Sequence, residues 1–201
     1  MTENLNKEGN TLSKNDNTLN ATANKFSTKT IAKMGMMAAI ACVIGLIRFP
    51  ILPMISFMTY DFADIPIIVS ALAFGPVAGI LITLVVSFIQ AFLLGGDQLY
   101  GFIMHVLSSG AHVLIVSLIY KRHKTKKTAI IGMIIATIAM VVIMGIANYF
   151  VTPYYYGGEA MKAVVIQLMP FILLFNLIKG SANSIITFLV YKRISPFLHK
   201  K

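Results

Sequence analysis

The sequence predicts an all-α polytopic membrane protein with six transmembrane helices, on three observations. The first is composition. Of 201 residues, 57% are hydrophobic and 12% charged, with a mean hydropathy of +0.80, whereas soluble domains carry about 25% charged residues. The second is patterning. Beyond residue 28 the chain is a series of apolar runs, most of them near the roughly 20 residues that a bilayer-crossing helix needs. The third is charge placement. Every Lys and Arg except Arg48, Lys162 and Lys179 falls in one of three segments, 7–33, 121–127 and 192–201. One topology puts all three on the cytoplasmic side, as the positive-inside rule requires. That distribution accounts for the net charge of +10 as membrane topology and argues against a nucleic-acid partner. With both termini and the 121–127 loop inside, the number of crossings is even, and six fit. The expected location is the cell membrane, multi-pass, in contact with lipid.

Taken in order, residues 1–27 are rich in Asn, Thr, Lys and Ser and are expected to form a disordered cytoplasmic tail. No apolar h-region or cleavage site follows the start, so no secretory signal is expected. The transmembrane domain is expected over 28–201. Its first span, about Thr28 to Ile47, is dense in small residues. Gly35-x-x-x-Ala39 and Ala41-x-x-x-Gly45 are patterns that let another helix approach closely. The partner is either a helix of this chain, which the pattern alone favours, or a separate subunit. Pro50 ends this span. The stretch 49–63, FPILPMISFMTYDFA, is too broken for a spanning helix and too apolar for a solvent loop. It is either packed against the bundle or laid over a ligand.

Asp64, with Pro66 in the first turn, reads as the N-cap of the second span. That span ends near Phe74 and is short. Gly75-Pro76 makes a turn, and the third span follows over 77–94. Gly95-Gly96-Asp97 is an outer turn. The fourth span, about 99–120, carries His105, Ser108, Ser109 and His112 at i, i+3, i+4, i+7. Interhelical hydrogen bonding is the simpler reading of that set, and ligand lining the other. The fifth span, about 128–150, is apolar until Asn148, and Thr152-Pro153 is expected to break it. Tyr154, Tyr155 and Tyr156 read as an interfacial belt or as flat faces for a stacked ring. Residues 159–169 read as an interfacial segment leading to Pro170 and the sixth span, which ends near Val190.

That sixth span carries the most informative residues. Asn176, Lys179, Gly180 and Asn183 share one helical face. A charge at that depth costs at least about 2.5–3.5 kcal/mol unless it faces a protein interior or a wet cavity. The face therefore lines a polar pocket, with Asn148 and the 49–63 loop on the same, outer side. An amide offers donors and acceptors and an ammonium three donors, a set suited to a small molecule with carbonyl, ring-nitrogen or hydroxyl groups. The Phe, Tyr and Met residues nearby suit a flat aromatic body. Asn183 lies a full turn deeper and is expected to bond another helix.

The chain has no P-loop, no GxSxG and no paired carboxylates within an apolar span. It is read as a binding protein and not an enzyme, and any ATPase that drives it is a separate chain. The one cysteine, Cys42, allows no disulfide framework. The four histidines form no ligand cluster, so neither a metal nor a cofactor is expected.

The string Tyr60-Asp61-Phe62-Ala63-Asp64-Ile65-Pro66, continued through Ala73-Phe74-Gly75-Pro76-Val77-Ala78-Gly79, resembles the first loop and the second and third helices of riboflavin-specific S components. These are the substrate-binding subunits of energy-coupling factor (ECF) vitamin transporters. Phe175-Asn176-Leu177-Ile178-Lys179-Gly180 is similar to that family's last helix. The resemblance covers the chain from about residue 28. It implies a six-helix fold whose long loop between helices 1 and 2 covers the ligand. It also implies riboflavin, with its phosphorylated form FMN and analogues as further candidates, as the transported ligand. Asn148, Asn176 and Lys179 match the family's ring contacts, and Phe57, Tyr60 and Asp61 of the loop join them as candidate ligand-binding residues. The implied partners are a transmembrane coupling subunit and two ATPase subunits. Gly35, Ala38, Ala39 and Cys42 of the first helix are the candidate docking residues. The alternatives are an S component for another vitamin and a self-contained secondary carrier of a small aromatic solute.

Overall fold

Apolar runs uninterrupted by turn residues fold as helices. A computed structural model describes residues 27–95 and 97–199. It is mostly helical, with α1 (Thr28–Ile44), β1 (Arg48–Pro50), a 3-10 turn (Pro53–Ile55), β2 (Thr59–Asp61), α2 (Asp64–Phe74), α3 (Pro76–Phe92), α4 (Gln98–Arg122), α5 (Lys126–Tyr156) and α6 (Gly158–His199). The chain divides into two units, residues 1–33 and 34–201. In the first unit, Ser27 caps the start of α1, its Oγ accepting from the Thr30 N–H at 3.3 Å. The tail expected over 1–27 lies, Ser27 apart, outside the described residues.

The second unit buries an unusual number of polar side chains within its apolar core and exposes large apolar residues outside. On α3, Thr83, Ser87 and Gln90 are buried while Leu84, Val85 and Phe88 are exposed on the opposite face. On α5, Ile130, Ile134, Ile138, Val142 and Ile146 face outward. Soluble domains place their large apolar residues inside. In lipid the outer apolar face is solvated, and polar groups must find partners inside. Three helices are long and apolar enough to cross a membrane: Gln98–Arg122, Lys126–Tyr156 and the Gly158–Arg193 portion of α6. The short second helix is present: α2 has 11 residues, about 16 Å at 1.5 Å per residue. It is turned into α3 by Gly75, whose φ of 94° lies in the left-handed region that glycine adopts without a Cβ clash.

Three local expectations are corrected. The helix of α5 does not break at Thr152 but runs through Pro153 to Tyr156. Residues 159–169 are not a separate interfacial segment, because α6 is continuous through Pro170. A proline removes one backbone donor, but membrane helices keep it where neighbouring groups satisfy the freed carbonyl. The 49–63 stretch is not irregular throughout. Its ends pair as an antiparallel hairpin in the register Arg48↔Asp61, Phe49↔Tyr60, Pro50↔Thr59, and a two-stranded hairpin has only edge strands, where proline is allowed. Ile55 and Tyr60 of this loop form a buried cluster with Phe175 of α6, flanked by Met58, Phe62 and Phe171. The loop is thus packed down on the last helix.

The two small-residue patterns of α1 part company. Gly45 is pressed against the Gln90 amide, and an added Cβ there would also lie 2.9 Å from the Ala41 carbonyl and 3.0 Å from Ala63 Cβ. The Ala41/Gly45 pattern therefore serves an internal approach. Gly35 and Ala39 are exposed and Ala38 and Cys42 half-buried, and a Cβ at Gly35 meets nothing within 4 Å. Gly45→Ala is expected to lower the melting temperature of the purified protein in detergent, for a cost of about 1–3 kcal/mol of overpacking. Gly35→Ala should leave it unchanged or slightly higher, because alanine has the better helix propensity. Thermal unfolding of the two variants side by side checks this.

Candidate functional site

Lys179 sits on the inner face of α6 and is buried. Its Nζ lies 3.3 Å from Asp64 Oδ2 and 3.9 Å from Asp61 Oδ2. An isolated ammonium in such a place is strongly disfavoured, and two carboxylates with further hydrogen bonds compensate it. Asp64 receives most of those bonds. Asn183 Nδ2 donates to its Oδ2 at 2.9 Å. The Ser109 hydroxyl donates to Oδ1, and His105 Nε2 lies 3.5 Å from the same oxygen. Asp64 is therefore not the N-cap that its position before Ile65-Pro66 suggests. Ala63 takes that place without a side-chain cap, and the carboxylate turns inward to the lysine instead. Asp61 ties the loop to the same centre, its Oδ1 accepting from the Ala63 N–H at 2.9 Å.

Tyr60 closes the network from the loop side, donating to Asn183 Oδ1 at 2.7 Å. Burial, and then the negative charge of Asp64, push its phenol up to about 12. It stays protonated, and a donor, across the physiological range. Asn183 thus bonds another helix and the loop, as its depth suggests.

Above this network is a cavity of about 640 Å³. Asn148, Asn176, Lys179, Phe57 and Asp61 all line it, whereas Tyr60 does not and belongs to the packed layer beside it. Asn148 Nδ2 donates to the Met144 carbonyl at 2.8 Å and its Oδ1 accepts from Thr152 at 3.1 Å. Asn176 Nδ2 donates to the Ile172 carbonyl at 2.8 Å. A carboxamide has two N–H donors and a carbonyl with two lone pairs, so both asparagines are held in place by their own helices and still have groups to offer a ligand. Met104, Met144 and Phe175 supply apolar wall, and Tyr156 joins them, packed edge-on against Tyr100 at 5.0 Å. The three tyrosines therefore divide: Tyr154 is exposed, as a belt residue would be, and Tyr156 faces the cavity.

The fourth-helix set divides as well. His105 and Ser109 reach α3 and α2, with His105 Nδ1 2.7 Å from Ser87 Oγ, and His112 Nε2 lies 3.3 Å from Ser184 Oγ of α6. Those are interhelical bonds. Ser108 and His105 also line the cavity. The sequence alone does not mark Arg48 and Gln90 as cavity residues, and for Ser108 ligand lining is the less simple of its two readings. Gln90 was visible in principle as the one carboxamide in an otherwise uncharged span. Among the described residues, no group of three or more His, Cys, Asp or Glu is placed to hold a metal.

The cavity is thus walled by carboxamides, by charged groups of both signs (Lys179 and Arg48, Asp61 and Asp97) and by aromatic and methionine side chains. The family described as ECF transporter, substrate-specific component, matches residues 29–191. The chain belongs to this family. As an S component it is a transport protein and not an enzyme. It is similar to the riboflavin transporter RibU of Staphylococcus aureus (strain TCH60), 34% identical over 182 residues that span 88% of this chain and 96% of that one. It is also similar to the riboflavin transporter FmnP of Bacillus subtilis (strain 168), 25% identical over 88% of this chain and 97% of that one. Among solved structures, an S component of a bacterial ECF transporter superposes with a TM-score of 0.75 at 37% identity, covering 86% of this chain and 98% of that one.

The network makes a double-mutant prediction. Asp64→Asn should cost several kcal/mol by leaving the Lys179 ammonium buried without its nearer counter-charge. Combining it with Lys179→Met should recover a large part of that loss. Thermal unfolding of the single and double variants in detergent measures the coupling, which is expected to exceed about 1 kcal/mol.

Proposed function

We propose that this S component captures riboflavin at the outer face of the cell membrane and passes it inward when joined to a transmembrane coupling subunit served by two ATPase subunits. The observation that carries the reading is the wall formed by Asn148, Asn176 and Lys179. It presents oriented donors and acceptors to one side of a cavity of about 640 Å³, and pockets for a single small organic ligand span about 300–1,000 Å³. The flavin ring system is flat, apolar on its faces and rich in carbonyl and ring-nitrogen groups along one edge. That edge is complementary to the two carboxamides, and the faces to Phe57, Met104, Met144 and Phe175. The relatives named as riboflavin transporters match this chain over almost its whole length, which supports the same ligand here.

In this reading all six helices cross the bilayer, with α2 and α3 at an angle that lets short elements span, and both termini are cytoplasmic. The 49–63 loop lies over the outer end of the cavity, with Phe57, Tyr60 and Asp61 on or beneath its inner side. Gly35, Ala38, Ala39 and Cys42 form the face of α1 on which the coupling subunit docks. Their small size, with Gly35 and Ala39 exposed and Ala38 and Cys42 half-buried, supports that role, since membrane helices associate where backbones can come close.

Riboflavin added to the purified protein in detergent should lose its fluorescence in a saturable, one-to-one titration. Asn148→Leu and Asn176→Leu should each weaken binding about tenfold, the loss of one or two hydrogen bonds to the ring. Folded protein that leaves flavin fluorescence unchanged would overturn the assignment. Independently, Ala39→Leu should keep riboflavin affinity and abolish copurification with the coupling subunit when the full set of subunits is expressed together.

A further inference from the structure

A groove of about 500 Å³ runs between α5 and α6 and shares no residue with the central cavity. It extends from Ile130 to Ile138 on α5 and from Leu177 to Leu189 on α6, about 12 Å and about 18 Å at 1.5 Å per residue. Gly180 sets its depth by letting the two helices come close. An added Cβ there would lie 2.9 Å from Thr137 Cγ2 and 3.2 Å from Met140 Cε. The hydroxyls of the floor are paired internally, Thr137 Oγ1 lying 3.3 Å from Ser184 Oγ and Ser184 Oγ 3.3 Å from His112 Nε2. The rim is hydrocarbon: Ile134, Ile138, Ile185 and Leu189 are all exposed. Along its length the groove therefore offers mainly apolar surface.

Its end is different. Lys126 and Lys127 precede Ile130 by four and three positions, and Lys192 and Arg193 follow Leu189 by three and four. Those are the spacings of one helical face, so four cations stand one turn beyond the groove, two from each helix. All four are exposed, and among the described residues none of them pairs with a carboxylate. From residue 98 onward the only acidic residue is Glu159, at the other end of α6 and 3.5 Å from Lys162. The positive-inside rule explains cations at this end of the bundle. It does not require that cations from two helices line up with one apolar groove.

We propose that this groove binds an anionic phospholipid, with an acyl chain between α5 and α6 and the phosphate headgroup held by Lys126, Lys127, Lys192 and Arg193. Hydrocarbon length followed by a cationic end selects that class. A zwitterionic lipid supplies the chain without net charge, and a free phosphate supplies the charge without the chain. Basic clusters between transmembrane helices at headgroup level hold anionic lipid in this way. The inference stands apart from the flavin reading and needs only that α5 and α6 lie in lipid.

The test titrates the full-length protein in detergent with phosphatidylglycerol, phosphatidylcholine or glycerol phosphate and counts bound molecules by native mass spectrometry. One phosphatidylglycerol per chain should be retained, about tenfold or more tightly than phosphatidylcholine, and glycerol phosphate should not bind. Lys126→Gln combined with Arg193→Gln should weaken phosphatidylglycerol roughly 25-fold, about fivefold per cation, and leave phosphatidylcholine unchanged. Ser181 lines the groove and is half-buried. Ser181→Phe fills the groove, keeps every cation, and should weaken both lipids about fivefold or more. Several results would overturn the proposal: no retained phosphatidylglycerol, equal affinity for the two lipids, glycerol phosphate bound as tightly as phosphatidylglycerol, or a Ser181→Phe protein that keeps the wild-type affinity. A dimer of the chain in place of the lipid adduct would overturn it too. If Ser181→Phe fails to fold, Ile185→Trp on the exposed rim takes its place with the same two outcomes.

Discussion

The structure depends on one buried ion pair. Lys179 and Asp64 face each other at 3.3 Å inside a helical membrane unit, where neither charge is tolerable alone. Their mutual need fixes where α6 sits against α2. Asp61 brings the end of β2 to the same ammonium at 3.9 Å. Ser109 and His105 bring in α4, and Asn183 joins Asp64 to Tyr60 of the loop. Two helices distant in sequence, α4 and α6, thus meet at the Asp64 carboxylate, and the loop joins the same network through Asp61 and Tyr60. A hydrophobic contact could hold two of these helices together, but apolar packing in lipid has little directional force. The charge pair and its hydrogen bonds supply the direction.

The same arrangement divides labour at the site. An ammonium has three donors, and two carboxylates already stand within reach of Lys179. The residue is first a structural charge. In the proposed reading the groups that contact the ligand are the carboxamides of Asn148 and Asn176, each held by a carbonyl one turn back on its own helix. Holding a recognition group by its own helix costs no interhelical bond and fixes its orientation beforehand, which favours tight binding of a rigid ring. The loop completes the arrangement. It is anchored through Ile55 and Tyr60 on Phe175, yet it turns Phe57 and Asp61 into the cavity.

Much of this was legible in the sequence. An ammonium and amides on one face of an apolar span point to an interior polar cavity, so Asn176 and Lys179 could be expected to line one from hydropathy and spacing, and Asn148 from its place near the outer end of the fifth span. The break at Gly75-Pro76 and the brevity of α2 follow from turn chemistry. The rest was hidden for definable reasons. Asp64 stands where an N-cap would stand, and no local signal distinguishes a capping carboxylate from one that turns inward to a lysine 115 positions away. Pro153 and Pro170 look like helix breaks because proline lacks an N–H and crowds the preceding turn, and the sequence does not show which neighbouring groups make up for that in a membrane helix. The β1–β2 hairpin has strands of three residues, too short to show alternation. Gln90 was hidden by the opposite problem: single polar residues in apolar helices are common, and only the cavity it shares with Ser108 gives it a group. The two small-residue patterns of α1 could be found by spacing but not told apart, since the difference lies in what stands beside Gly45 and Gly35.

In the proposed reading a neutral flavin lies above an intact ion pair, its ring against the α5–α6 wall. The most direct measurement is an experimental structure of the purified protein with riboflavin bound. The account predicts the ring edge within hydrogen-bond distance of the Asn148 and Asn176 carboxamides, with Lys179 still paired to Asp64. A flavin bound elsewhere, or a Lys179 drawn away from Asp64 to a ligand that ignores both asparagines, would contradict it.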